Sequence, residues 1–269
     1  MRGICLLLLL LLAAPLAAAT RVVSLAPSLS EIVVELHAAD LLVGVLDGGE
    51  RPPALAQVPS VGRYGQIDME RLLSLKPDLL LLWPDSVPAA QRDQLKRLGI
   101  PTYSAEPHGI DELIEQIEAI GVQLGRAEQG RVRAQQLRSQ LQALRERYHR
   151  EQPLQVFYQV WDKPLYTVGG GQIVSDALAV CGARNVFAEL KVPAPQVNLE
   201  SVLLRNPQVI LAPDQAQLDA WKAWPQVNAV RDGRLLQVPD KGLERPSGQM
   251  IDATAQLCRL LEAKAPASR

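Results

Sequence analysis

Three consecutive glycines, Gly169-Gly170-Gly171, lead into an apolar stretch, an arrangement that can cradle a phosphate at a helix N-terminus. No Lys-Ser/Thr pair follows at phosphate-loop spacing and the pattern is not G-x-G-x-x-G, so a strand-to-helix turn is the expected role. His37, His108 and His149 are the only histidines, and His149 falls on a long charged helix, which argues against a three-histidine metal centre. A nucleophile elbow, G-x-S-x-G, is absent. The sequence thus offers no arrangement for nucleophilic or metal-assisted catalysis. The aromatics say more. They make up only 4% of the chain, yet Tyr64, Trp83, Tyr103, Tyr158, Trp161 and Tyr166 stand in or at the ends of expected strands. For Tyr103 and Tyr158 core packing is an equally good account. Trp83 before Pro84, and Tyr64 near glycines, are poorly suited to a core. Rings at the mouths of two facing lobes make an apolar slot for a large flat ligand.

Two similar units would supply those lobes. Asp68-Met-Glu70-Arg-Leu-Leu-Ser-Leu-Lys-Pro77 with its following leucines returns, 130 residues later, as Asn198-Leu-Glu200-Ser-Val-Leu-Leu-Arg-Asn-Pro207. Each copy reads as an Asx N-cap, an acidic first turn, a short helix, a proline stop and a buried parallel strand. Glu70 and Glu200 are first-turn acids that favour the helix dipole, and the repeat places them symmetrically, one per lobe. Between the copies, residues 126–150 lack proline and place Val132, Ala134, Leu137, Leu141, Leu144 and Tyr148 on one stripe, which predicts one long surface helix. Strands at 21–25, 41–46, 79–82, 102–105, 155–160 and around 235–238 alternate with helices, including 31–36, 89–98, 110–124, 173–180 and 250–261. Ser28 or Ser30 is the expected cap of the first helix. The fold class is therefore α/β, with two lobes of mainly parallel sheets joined by one long rigid α-helix.

The 269 residues are 48% hydrophobic with formal net charge −1, ample for a core and unlike a disordered or nucleic-acid-binding chain. Met1-Arg2, the run Leu6 to Leu12 and Ala17-Ala18-Ala19 read as a secretory signal peptide over 1–19. The expected parts are an N-terminal lobe at 20–125, a linking helix at 126–150 and a C-terminal lobe at 151–269. Cys5 leaves with the leader; Cys181 and Cys258 remain, and an even pair in an exported protein reads as one disulfide, two buried thiols being the alternative.

The chain resembles the periplasmic substrate-binding proteins of ABC importers, in the group whose lobes are joined by a long helix, and within it most resembles the cobalamin binders. The resemblance covers nearly all of the mature chain. It is carried by Arg21 to Glu31, Asp68 to Leu79, Trp83, Val180-Cys181-Gly182, Asn185-Val-Phe187, Val192-Pro-Ala-Pro-Gln-Val197, Glu200 and Gln256-Leu-Cys258. It implies no enzymatic activity and no cofactor. The implied ligand is cobalamin or a related corrinoid, held by Tyr64 and Trp83 from one lobe and by Tyr158, Trp161, Tyr166, Asp240 and Arg245 from the other. It also implies a periplasmic monomer that docks through Glu70 and Glu200 on an inner-membrane permease and ATPase complex. Ala194 and Tyr64 stand where such binders carry tryptophan, and the loop Asp47 to Arg51 lacks a tyrosine, which implies a wider slot or another corrinoid; Trp161 and Trp221 are the rings available to compensate. Haem or a ferric siderophore is the alternative ligand, with Arg63, Arg245 and Tyr64 as its candidates. A periplasmic α/β hydrolase or a scaffolding protein are readings of other classes; the first would need the metal-ligand cluster the sequence lacks.

Overall fold

The computed structural model describes residues 18–49 and 51–263; the expected leader, apart from its last two residues, lies outside them. In the first lobe, strands β1 (Val22–Ser24), β2 (Leu42–Asp47), β3 (Ser60–Arg63), β4 (Gln66–Ile67), β5 (Leu79–Leu82) and β6 (Thr102–Ser104) form one sheet in the order β4-β3-β2-β1-β5-β6. All pair in parallel except the edge strand β4. Alternation divides the two faces: Val22, Leu79 and Leu81 enter one core, while Val23, Leu80 and Leu82 enter another. Both faces of β5 are thus buried, which explains its unbroken leucines. Helices α1 (Pro27–Glu35), α2 (Met69–Ser74), α3 (Ala89–Arg97) and α4 (Ile110–Gln123) cover the sheet.

Helix α5 (Ala127–Arg147) leads to the second lobe. There β7 (Leu154–Asp162), β8 (Leu165–Thr167), β9 (Ala183–Asn185), β10 (Val209–Ala212) and β11 (Leu235–Gln237) form the order β11-β10-β7-β8, with β9 beside the start of β7. Only β8 runs antiparallel. Helices α6 (Ile173–Val180), α7 (Leu199–Arg205), α8 (Gln215–Ala220), α9 (Asn228–Arg231) and α10 (Gln249–Ala263) complete it.

The repeated unit is physical. Asp68 accepts from the Arg71 amide at 2.9 Å and Asn198 from that of Ser201 at 2.8 Å. Both helices end in a left-handed residue before proline, Lys76 at φ 48° and Asn206 at φ 46°. The first helix departs from expectation. It begins at Pro27, which needs no amide partner in a first turn, and neither Ser28 nor Ser30 caps it. The Ser30 hydroxyl turns inward, donating to Ser24 Oγ at 2.9 Å.

Nor is α5 a free-standing rod. It buries Gly130, Ala134, Leu137 and Leu141 and leaves Val132 40% exposed. It lies along α4, where a Cβ on Gly121 would stand 2.9 Å from the Gly130 Cα, so glycine at both positions lets the backbones touch. It also packs on α6 and α10. Cys181 and Cys258 form a disulfide between the end of α6 and α10, fully buried, with Cα atoms 4.6 Å apart.

Candidate functional site

Parallel strands bring the loops after β1, β2, β5 and β6 to one edge of the first sheet, where α/β proteins place their ligands. Trp83 directly follows β5, packed in part on the core, and Ala105 to His108 follow β6. Facing them from the second lobe are Tyr158 and Val160 of β7, the start of α6, and Pro193-Ala194. Together with Leu29 and Ile32 of α1 and with Leu243 and Pro246, they enclose a cavity of about 350 Å³. That is small for a large ligand, so a macrocycle would be held with much of its edge in solvent.

The lining is mainly apolar, and its polar side chains besides Tyr158 are Ser28, Asp85, Glu106, His108, Gln116, Gln172 and Glu244. No lysine or arginine is among these described lining residues. The Tyr158 hydroxyl donates to Glu244 Oε1 at 3.2 Å. Burial, reinforced by the Glu244 carboxylate, pushes its proton affinity well above that of a free phenol. A phenol so held is a poor source of a tyrosinate ligand.

The structure brings Trp83 and Tyr158 together at this cavity, and not the other expected ligand residues. Tyr64 sits on the β3–β4 turn of the same sheet edge, 59% exposed and outside the lining. Trp161 lines a separate groove with Gln159, while Tyr158 and Val160 line the cavity; the alternating pleat of β7 parts them. Tyr166 on β8 pairs opposite Trp161 and lies outside the cavity lining. Asp240 is spent on structure: it accepts from the Gly242 amide and from Gln256 Nε2, both at 2.7 Å. Arg63 is exposed, its Nε donating to Gln66 Oε1 at 2.8 Å.

Arg245 belongs to a fastening between the lobes. Its guanidinium meets Glu31 of α1 at 2.9 Å and reaches the Gly48 carbonyl at 3.4 Å. Ser247 Oγ and Gln249 Nε2 donate to the other Glu31 oxygen, and the Gly248 amide donates to Glu35 at 2.9 Å. Arg133 of α5 pairs with Glu35 at 3.2 Å. Burial nevertheless pushes the Glu35 carboxyl above its ordinary value, with Arg133 opposing. A second tie lies nearby: Asp176 of α6 accepts from the Ile110 amide at 2.7 Å, capping α4 across the lobes where Gly109 has no side chain to do so.

The glycine triplet is explained by close passage of the chain. A Cβ on Gly170 would collide with the Ala188 carbonyl, and the Gly169 and Gly170 amides already donate to Pro193 and Leu190 at 2.9 Å. Glu106 and Gln172 were not singled out from the sequence, although the rule that ligands gather at the carboxyl ends of parallel strands points to the residues after β6. Glu244 lies within the expected ligand loop between Asp240 and Arg245 and lines the cavity in place of those two residues. Among the described residues no group of three His, Cys, Asp or Glu could hold a metal ion, and no helix is long and apolar enough to cross a membrane. Glu70 and Glu200 are both exposed, in the first turns of α2 and α7.

The vitamin B12-binding protein of Vibrio cholerae serotype O1 is 35% identical over 247 residues, covering 91% of this chain and 90% of that one. The crystal structure of periplasmic vitamin B12 binding protein BtuF of Vibrio cholerae matches with TM-score 0.83 at 34% identity, over 91% of this chain and 98% of that one. The periplasmic heme binding protein HutB of the same organism shares the fold, with TM-score 0.77 at 20% identity over 90% and 98% of the two chains. A family model described as periplasmic binding protein matches residues 22–241. The chain belongs to the periplasmic binding protein family, a class of substrate carriers rather than enzymes.

Proposed function

We propose that this chain captures cobalamin or a closely related corrinoid between its lobes and delivers it to an inner-membrane ABC permease and its ATPase. The observation that carries this reading is a slot with no lysine or arginine among its described lining residues. Trp83 and Tyr158 offer apolar surface to a flat macrocycle, while Asp85, Glu106, Glu244 and the two glutamines can accept from or pair with peripheral carboxamides. Haem propionates or an anionic siderophore would meet three carboxylates and no guanidinium there. The names of the relatives support the same ligand. Ala194 lines the slot, so alanine in place of the tryptophan expected at that position leaves extra room. The corrinoid is cargo and undergoes no reaction.

In this reading residues 1–19 are removed on export, and the lobes at 20–125 and 151–269, linked at 126–150, act as a periplasmic monomer. Glu70 and Glu200 offer one carboxylate per lobe to a two-fold permease. Calorimetry of the purified mature protein against cobalamin, cobinamide and haem tests the ligand. Saturable binding of a corrinoid with weak or no haem binding is expected; haem binding tighter than either corrinoid would overturn the assignment.

A further inference from the structure

Three of the four tryptophans of the chain, Trp161, Trp221 and Trp224, gather outside the ligand cavity, along a groove of about 600 Å³. Its floor is locked. Trp221 Nε1 donates to Gln159 Oε1 and Gln159 Nε2 donates to Gln217 Oε1, each at 2.7 Å. Gln217 in turn donates to Asp214 through its amide at 2.9 Å and its side chain at 3.1 Å. Phe157 packs edge-on behind Trp221, ring centres 5.6 Å apart. These partners satisfy one another, so the floor needs no occupant to hold its shape.

Trp161 is different, standing 57% exposed at the β7–β8 hairpin. An exposed indole over an apolar groove marks a surface that something covers. Two features identify the occupant. The rim is acidic, with Asp162 and Asp214 against the single Lys163. Leu199 also lines the groove, and the next residue is Glu200. Small polar ligands are oriented by convergent donors and acceptors. Here the Gln159, Gln217 and Asp214 groups are engaged with one another, leaving rings and shape to do the selecting.

We propose that this groove is the apolar half of the docking face on the second lobe. It receives an aliphatic or aromatic side chain carried between Lys or Arg residues on a periplasmic segment of the permease. The proposal rests on the reading that Glu200 faces the transporter. Aromatic anchors beside charged residues are the usual centres of binding energy in such interfaces, the charges setting register and encounter.

The test uses Trp161→Ser, which removes the ring, and Ala220→Arg, which fills the groove from an exposed position on α8 and repels a cationic segment. Binding to the intact permease–ATPase complex in nanodiscs is measured with stimulation of its ATPase, alongside corrinoid titration and sedimentation. Both variants are expected to dock at least about tenfold more weakly than wild type while binding the corrinoid normally. If both dock as wild type while Glu200→Arg does not, the groove proposal fails and the glutamate reading stands. If Glu200→Arg also docks normally, that reading itself fails. Loss of corrinoid binding in Trp161→Ser, or a wild-type dimer that this variant dissociates, would assign the groove to the ligand or to a second copy and overturn the proposal.

Discussion

Trp83 offers the sharpest test of the ligand cavity. The residue packs against the large apolar core and also lines the cavity. A tryptophan buries roughly 200 Å² when fully covered. Trp83 is already mostly covered, so the ligand can close at most about a third of that, about 70 Å² of apolar surface, worth about 1.8 kcal/mol at about 25 cal/mol per Å². Trp83→Ala should then weaken corrinoid binding roughly 20-fold. Isothermal titration calorimetry reads this directly, and the negative heat-capacity change of binding should shrink with it. The loss of core contact lowers melting temperature, so the variant is titrated well below its own transition. A change in Kd below about threefold, in a variant that still melts cooperatively, would refute the reasoning: the ring would then have no part in seating the ligand.

Three further outcomes are expected. Replacing Cys181 by serine opens a link across a sequence separation of 77 and should lower stability by up to roughly 4 kcal/mol on the chain-entropy scale, leaving corrinoid affinity intact; two free thiols in unreduced periplasmic protein would contradict the disulfide. The double variant Glu70→Arg/Glu200→Arg should fold and bind the corrinoid yet fail to stimulate the transporter, each single variant being partly impaired; wild-type transport would leave only the helix-dipole role. Glu35 holds its proton more tightly in the folded protein than in the unfolded chain, so the folded state binds more protons above pH 4.5 and the stability linked to that proton is lost as pH rises through the raised value. The melting temperature of wild type relative to Glu35→Gln should therefore rise from pH 7 to pH 5, and a flat or falling difference would show that the Arg133 pair dominates.

The elements written into short-range pattern were legible. The leucines of β5, the helix at Ile173–Val180 and the two capped glutamate units follow from alternation, periodicity and Asx chemistry. The pairing of Cys181 with Cys258 followed from there being only two cysteines after the leader. What the sequence concealed depends on partners far along the chain. The odd spacing of Tyr158 and Trp161 on one strand already sends them to opposite faces, but which face closes the cavity depends on how β7 is placed in the fold. Arg245 read as a ligand contact because nothing local reveals that Glu31, 214 residues away, receives it. Ser30 resembled a cap until Pro27 set the helix start one turn earlier. The role of Gly130, the one glycine of α5, depends on α4 lying against it.

The segment from Leu243 to Gln249 does two things with different residues. Leu243, Glu244 and Pro246 face the cavity, while Arg245, Ser247, Gly248 and Gln249 grip α1, whose own Leu29 and Ile32 face the same cavity. Wall and strap are one length of backbone. A wide swing of the lobes would tear five hydrogen bonds from this strap and, in the same motion, strip one side off the cavity. On the proposed function, opening the cavity would require the strap to peel from α1 at one margin, while the α4–α5 seam, where the Gly121 and Gly130 backbones approach closely, would not have to move. A permease that emptied this carrier would need only to work that margin loose, not to prise apart the two halves.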